Sequence, residues 1–78
     1  MPEIFRAPGL VFSILSDDHS PPHIHVFGGG WMAKISLSDP PDLIFLVGRP
    51  TKPEIKKALR QVRSNLPRLI EEWERIHG

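Results

Sequence analysis

The chain contains no cysteine, which removes disulfide staples, thiolate metal sites and cysteine nucleophiles from consideration. It also lacks any apolar stretch approaching the ~20 residues of a membrane span. Met1-Pro2-Glu3-Ile4-Phe5-Arg6 has neither the basic flank nor the long apolar run of a signal peptide, so a cytoplasmic location away from membranes is expected. No internal repeat, low-complexity tract or long linker divides the sequence, and a single domain spanning residues 1–78 follows. A domain this small buries only roughly 60–65% of the surface that its unfolded chain exposes. Without disulfides to compensate, a homodimer or a small protein partner is the expectation.

Net charge is only +1, but the charges are segregated. Residues 1–48 carry Arg6 and Lys34 against Glu3, Asp17, Asp18, Asp39 and Asp42, whereas residues 49–63 carry Arg49, Lys52, Lys56, Lys57, Arg60 and Arg63 against Glu54 alone. The folded molecule should be electrically polarised.

Hydrophobic patterning predicts an α+β fold: a small antiparallel sheet of three to four strands, with a C-terminal helix or kinked helix pair packed on one face. The sheet part is expected over about residues 3–47 and the helical part over about 51–77. Leu10–Leu15, His23–Phe27 and Trp31–Leu37 read as strands, and Leu43–Val47 as a short strand or edge segment. Gly28-Gly29-Gly30 marks a hairpin turn. It is not a phosphate loop, because a strand rather than a helix follows it. A two-residue turn at Gly29-Gly30 pairs His25 with Lys34 and Ile24 with Ile35. Period-two alternation then puts Ile24, Val26, Ala33 and Ile35 on one face and His23, His25, Lys34 and Ser36 on the other.

Thr51-Lys52-Pro53-Glu54 is a capping-box pattern opening a helix whose apolar positions recur through Ile55, Ala58, Leu59 and Val62. The same periodicity continues through Leu66, Leu69, Ile70, Trp73 and Ile76. One straight helix of that length would be longer than the domain, and Pro67 is costly in a helix interior, so a break is expected at Ser64-Asn65. Either residue could cap the second helix. Trp31 and Trp73 read as packing residues and His77 as a helix C-terminal residue.

The chemically loaded stretch is Asp17-Asp18-His19-Ser20-Pro21-Pro22-His23-Ile24-His25. His23 and His25 point the same way from a strand, about 7 Å apart at their bases. His19 and Asp18 lie on the preceding loop, which the prolines restrain. Three readings stay open. His19, His23 and His25 could hold zinc, with Asp18 or water completing a tetrahedron, although Lys34 beside His25 opposes a dication. His23 and His25 could act as acid and base on a phosphoester such as RNA, with Lys34 holding the anion and Asp18 or His19 orienting. Alternatively, the histidines decorate a solvated or dimer-buried face. A separate stripe of Lys52, Lys56, Arg60 and Arg63, extended by Arg49, could follow a phosphate backbone or simply be solvated.

His23-Ile24-His25-Val26 is similar to part of the histidine-triad signature of nucleotide hydrolases, but Phe27 stands where the third histidine belongs and the chain is too short for that fold. A broader resemblance runs along nearly the whole chain. Met1-Pro2-Glu3-Ile4-Phe5-Arg6, Asp18-His19-Ser20-Pro21-Pro22-His23-Ile24-His25-Val26, Ala33-Lys34-Ile35 and Trp73-Glu74-Arg75-Ile76-His77-Gly78 together resemble the small prokaryotic proteins catalogued as domain of unknown function 4160. The resemblance implies membership of a two-gene, toxin–antitoxin-like pair, and with it a small protein partner encoded nearby and nucleic-acid-directed chemistry. It brings no assigned activity or cofactor. The expectation is a toxin–antitoxin-type module that binds a phosphate-bearing substrate such as RNA and could also cleave it, with a non-catalytic, partner-binding or homodimerising module as the alternative.

Overall fold

A computed structural model describes residues 3–78 of the chain. Met1 and Pro2, which begin the N-terminal segment considered above, lie outside the described residues. Five strands form one antiparallel sheet in sequential order: β1 (Glu3–Ala7), β2 (Leu10–Ser13), β3 (His23–Gly28), β4 (Trp31–Ser36) and β5 (Leu43–Gly48). Two helices follow, α1 (Lys52–Ser64) and α2 (Leu66–His77).

The α+β class is as expected, but the sheet has five strands rather than three to four. The additional strand is β1, joined to β2 by the two residues Pro8-Gly9, with Ala7 paired to Leu10 and Gly9 at φ 77°. Proline presets the first turn position and glycine supplies the positive φ of the second. Only Ile4, Phe5 and Ala7 of β1 pack against the core, and none is fully buried, so an edge strand here leaves little apolar pattern in the sequence.

The β3–β4 register is the expected one throughout, from Gly28 opposite Trp31 to His23 opposite Ser36. It continues across the sheet: Phe5, Phe12, Val26, Ala33 and Leu46 form one cross-strand row on one face. That face, with Leu10, Ile24 and Ile35, packs against Ala58 and Val62 of α1 and Leu69 of α2 to form the core. Arg68 of α2 lies over the Phe5 ring, 5.9 Å from its centroid, and Trp31 donates its indole N–H to Glu54 of α1 at 2.9 Å.

Glu54 closes the capping box. It accepts the Thr51 backbone N–H at 2.8 Å, while the Thr51 hydroxyl accepts the Glu54 N–H at 3.3 Å. The helix breaks between Ser64 and Leu66, as Pro67 requires. Neither Ser64 nor Asn65 caps α2 through its side chain, contrary to expectation. Asn65 turns back instead, donating its side-chain amide at 2.8 Å to the Gln61 carbonyl, which also accepts the Asn65 backbone N–H at 3.2 Å.

β5 differs from the other strands. All six of its residues are exposed, so it forms the sheet edge with its apolar side chains open to solvent. A conservative pair of substitutions should separate core from edge. Ile35→Val, at a fully buried site, should lower unfolding free energy by about 0.5–1.5 kcal/mol in urea titrations. Ile44→Val on β5 should change it by less than about 0.5 kcal/mol.

Candidate functional site

The face of the sheet away from the helices carries Ser13, His25 and Lys34 in one cross-strand row, with His23 one pleat further along β3. The connection between β2 and β3 folds over this end of the sheet. Its first turn is held by reciprocal contacts: Asp18 donates its backbone N–H to the Leu15 carbonyl at 3.2 Å, and the Asp18 carboxylate accepts the Leu15 N–H at 3.2 Å. Asp18 thereby lies over the two strand histidines. Its Oδ2 is 3.5 Å from His23 Nε2 and 3.5 Å from His25 Nδ1.

The His23 ring is oriented from its far side. Nδ1 lies 2.9 Å from the Pro21 carbonyl and donates to it, so in the neutral ring Nε2 carries the lone pair facing Asp18. The two rings meet edge to face with centroids 5.2 Å apart, and Trp73 of α2 lies 5.4 Å from His23. Trp73 stacks on His77, whose ring nitrogens lie 3.1 Å from the Trp73 carbonyl oxygen and 3.0 Å from that of Leu15. His77 therefore ties the last turn of α2 to the β2–β3 connection, beyond its expected role as a helix C-terminal residue.

The expected open histidine face is covered: His23 is 6% exposed and His25 5%. Three buried side-chain atoms there, Ser13 Oγ, His23 Nε2 and His25 Nδ1, have no hydrogen-bond partner among the described residues. Burial lowers the His25 pKa below the usual histidine value. The Asp18 carboxylate opposes this shift, while His23 and Lys34 reinforce it.

Asp18, His23 and His25 form a cluster whose ligand-capable atoms all lie within 4.8 Å of one another. The expected ligand set of His19, His23 and His25 is corrected in one member: His19 is exposed and stands outside the cluster, because the turn that begins at Leu15 turns Asp18 rather than His19 inward. Lys34 keeps its place opposite His25, but its ammonium reaches over the Phe45 ring of β5, 5.4 Å from the centroid. Ser36 is drawn elsewhere, with its hydroxyl accepting the Asp42 N–H and sharing a hydrogen bond with the Ser38 hydroxyl.

The basic stripe is elsewhere on the molecule. Lys52 and Lys56 line a cavity of about 280 Å³ with Leu46, Pro50, Thr51 and Ile55. Lys56, Arg60 and Arg63 line an adjoining one of about 330 Å³ with Pro40, Pro41 and Leu59. Lys52 and Lys56 thus lie beside Leu46 of β5, and Arg60 and Arg63 beside the Pro40-Pro41 turn that precedes it. Arg49 is exposed just beyond the end of β5. Sequence reasoning treated the stripe as a helix face alone and missed that Leu46 of β5 and the Pro40-Pro41 turn supply the opposite wall. An apolar run next to an aspartate-proline turn was the signal for that wall.

Fold and site together define a small α+β domain with a five-stranded meander, a helix pair on one face and a covered Asp-His-His cluster on the other. Residues 9–74 match the family model described as Domain of unknown function (DUF4160), and the chain belongs to that family. No curated protein and no solved structure matches it. Among the described residues, no helix is long and apolar enough to cross a membrane.

The His25 environment makes a pH prediction. Its folded pKa is depressed, so the unfolded chain binds the proton more readily than the folded one, and stability falls where only the unfolded form is protonated. In chelator-treated buffer the melting temperature should hold above about pH 7 and fall as the pH drops below about 6.5. His25→Gln should flatten that slope, as followed by circular dichroism.

Proposed function

We propose that this domain is a protein-binding module, one half of a toxin–antitoxin-type pair, that accepts an extended acidic segment of its partner along β5. The supporting observation is β5 itself: Leu43, Ile44, Phe45, Leu46 and Val47 are 38–51% exposed along an unpaired sheet edge. A strand edge offers a row of backbone donors and acceptors, and its side chains supply apolar contacts to an added strand. Beside it, Lys52 and Lys56 share a cavity with Leu46 of β5, and Arg60 and Arg63 continue the positive charge past the Pro40-Pro41 turn.

That charge argues for an acidic partner over a second copy. Edge-to-edge pairing of two β5 strands puts both helix layers on one side of the seam and sets the two basic rows against each other. An extended segment alternating apolar residues with aspartate or glutamate meets both the edge and the row.

Phosphate-directed binding is a second reading, supported by the same four cations. The acid–base role for His23 and His25 has weaker support, since both are buried beneath the Asp18 turn and a backbone phosphate reaches them only if that turn is displaced.

A synthetic peptide alternating valine and glutamate is the probe for the first reading, with a valine–lysine peptide as control. The acidic peptide should bind, weaken as salt rises, and be lost with Ile44→Pro, which removes a backbone donor from β5 and disrupts the strand. Equal binding of both peptides, or a β5-dependent dimer of the chain alone in sedimentation, would overturn it. Tight binding of single-stranded RNA that Arg60→Ala weakens, with no affinity for the acidic peptide, would favour the second reading.

A further inference from the structure

The cluster beneath the β2–β3 connection has a chemistry that partner binding leaves unused. The Pro21 carbonyl fixes the His23 tautomer so that the Nε2 lone pair faces the Asp18 carboxylate. Two acceptors then confront each other in a site nearly closed to water. His25 Nδ1 faces the same oxygen and also lacks a partner. Burying such groups uncompensated is unfavourable, and a cation between them turns the confrontation into attraction.

The spacing selects the kind of cation. Ligand atoms about 2.0–2.1 Å from a tetrahedral zinc ion lie about 3.3–3.4 Å from one another. Both carboxylate-to-imidazole separations are 3.5 Å, too long for good hydrogen bonds and close to that tetrahedral edge, while the set as a whole spans up to 4.8 Å, so the two imidazoles draw together around the ion. Two imidazole nitrogens and one carboxylate oxygen are zinc-type donors, and the Pro21 carbonyl on the far nitrogen of His23 is the outer-shell partner that metal-bound histidines usually have. Lys34 extends its ammonium toward Phe45 and β5, although its charge still acts on His25 and opposes a dication there.

We propose that Asp18 Oδ2, His23 Nε2 and His25 Nδ1 bind a divalent zinc-class ion, which fastens the β2–β3 connection to β3. The three protein ligands leave a fourth coordination position, and the unpaired hydroxyl of Ser13 belongs to the cross-strand neighbour of His25. His19 is not a ligand.

The test uses the full chain without a histidine tag, stripped with chelator and titrated with zinc ion by calorimetry. Binding should saturate at one ion per chain and raise the melting temperature. Cobalt(II) in its place should give the intense visible absorption of tetrahedral coordination. Asp18→Asn and His25→Gln should each weaken zinc binding by more than the roughly 10–100-fold typical of an outer-shell change. His19→Ala should leave it unchanged. Should a ligand variant fail to fold, imidazole NMR of the wild-type chain decides instead: zinc should shift the His23 and His25 signals and spare those of His19. Absence of saturable binding, or binding abolished by His19→Ala, would overturn the assignment. So would unshifted His23 and His25 signals, which would mean that a proton alone reconciles the histidines with Asp18.

Discussion

The register of the β3–β4 hairpin is the constraint from which most of this structure follows. Strand side chains alternate faces, so pairing Ile24 with Ile35 and Val26 with Ala33 assigns those four residues to the core and sends His23, His25 and Lys34 to the opposite face together. A slip of one residue on either strand would exchange a core side chain for a charged or titratable one. The turn that sets the register also fixes the helices. Gly28 has no side chain to obstruct the Trp31 ring lying against it, and Trp31 reaches the Glu54 carboxylate that closes the capping box of α1. A single glycine thus connects the hairpin to the start of the helical layer.

Because the two faces are decided together, the molecule keeps its chemistries apart. The acidic turn with its buried histidines occupies one end of the helix-free face. The basic row lies on the other side of the sheet, along the flank of α1 beside β5. α2 bridges them mechanically: its first turns pack against the core through Leu69, and its last reaches the β2–β3 connection through Trp73 and His77. The acidic turn and the basic row thus lie apart, whereas Asp39 and Asp42 bracket the Pro40-Pro41 turn beside Arg60 and Arg63.

Much of the fold was legible because it rests on local signals. The glycine turn, the period-two alternation of β3 and β4, the Thr51–Glu54 capping box and the Pro67 break each announce themselves within a few residues. β1 did not, since its evidence was a Pro8-Gly9 turn followed by a strand already assigned, and its own residues are only partly buried. At the site, the shared direction of His23 and His25 was readable from strand spacing. The choice of Asp18 over His19 was not, because it depends on a four-residue turn whose hydrogen bonds to Leu15 exist only once the chain has folded back. Burial of the histidines was likewise invisible, being the work of a loop that composition marks only as polar.

The exposure of β5 bears on the life of the chain outside its folded state as well. Leu43-Ile44-Phe45-Leu46-Val47 is an uncharged run of strong β-formers with no proline, displayed on an open edge, and such segments are templates for cross-β stacking. Its only gatekeepers are the turn Pro40-Pro41-Asp42 before it and Gly48-Arg49-Pro50 after it. A chain that accumulates without a cover for that edge drifts toward aggregation with the concentration dependence of a bimolecular encounter. Its supply is then best matched in amount and timing to whatever occupies the strand, so that stoichiometry, as much as sequence, keeps the protein in solution.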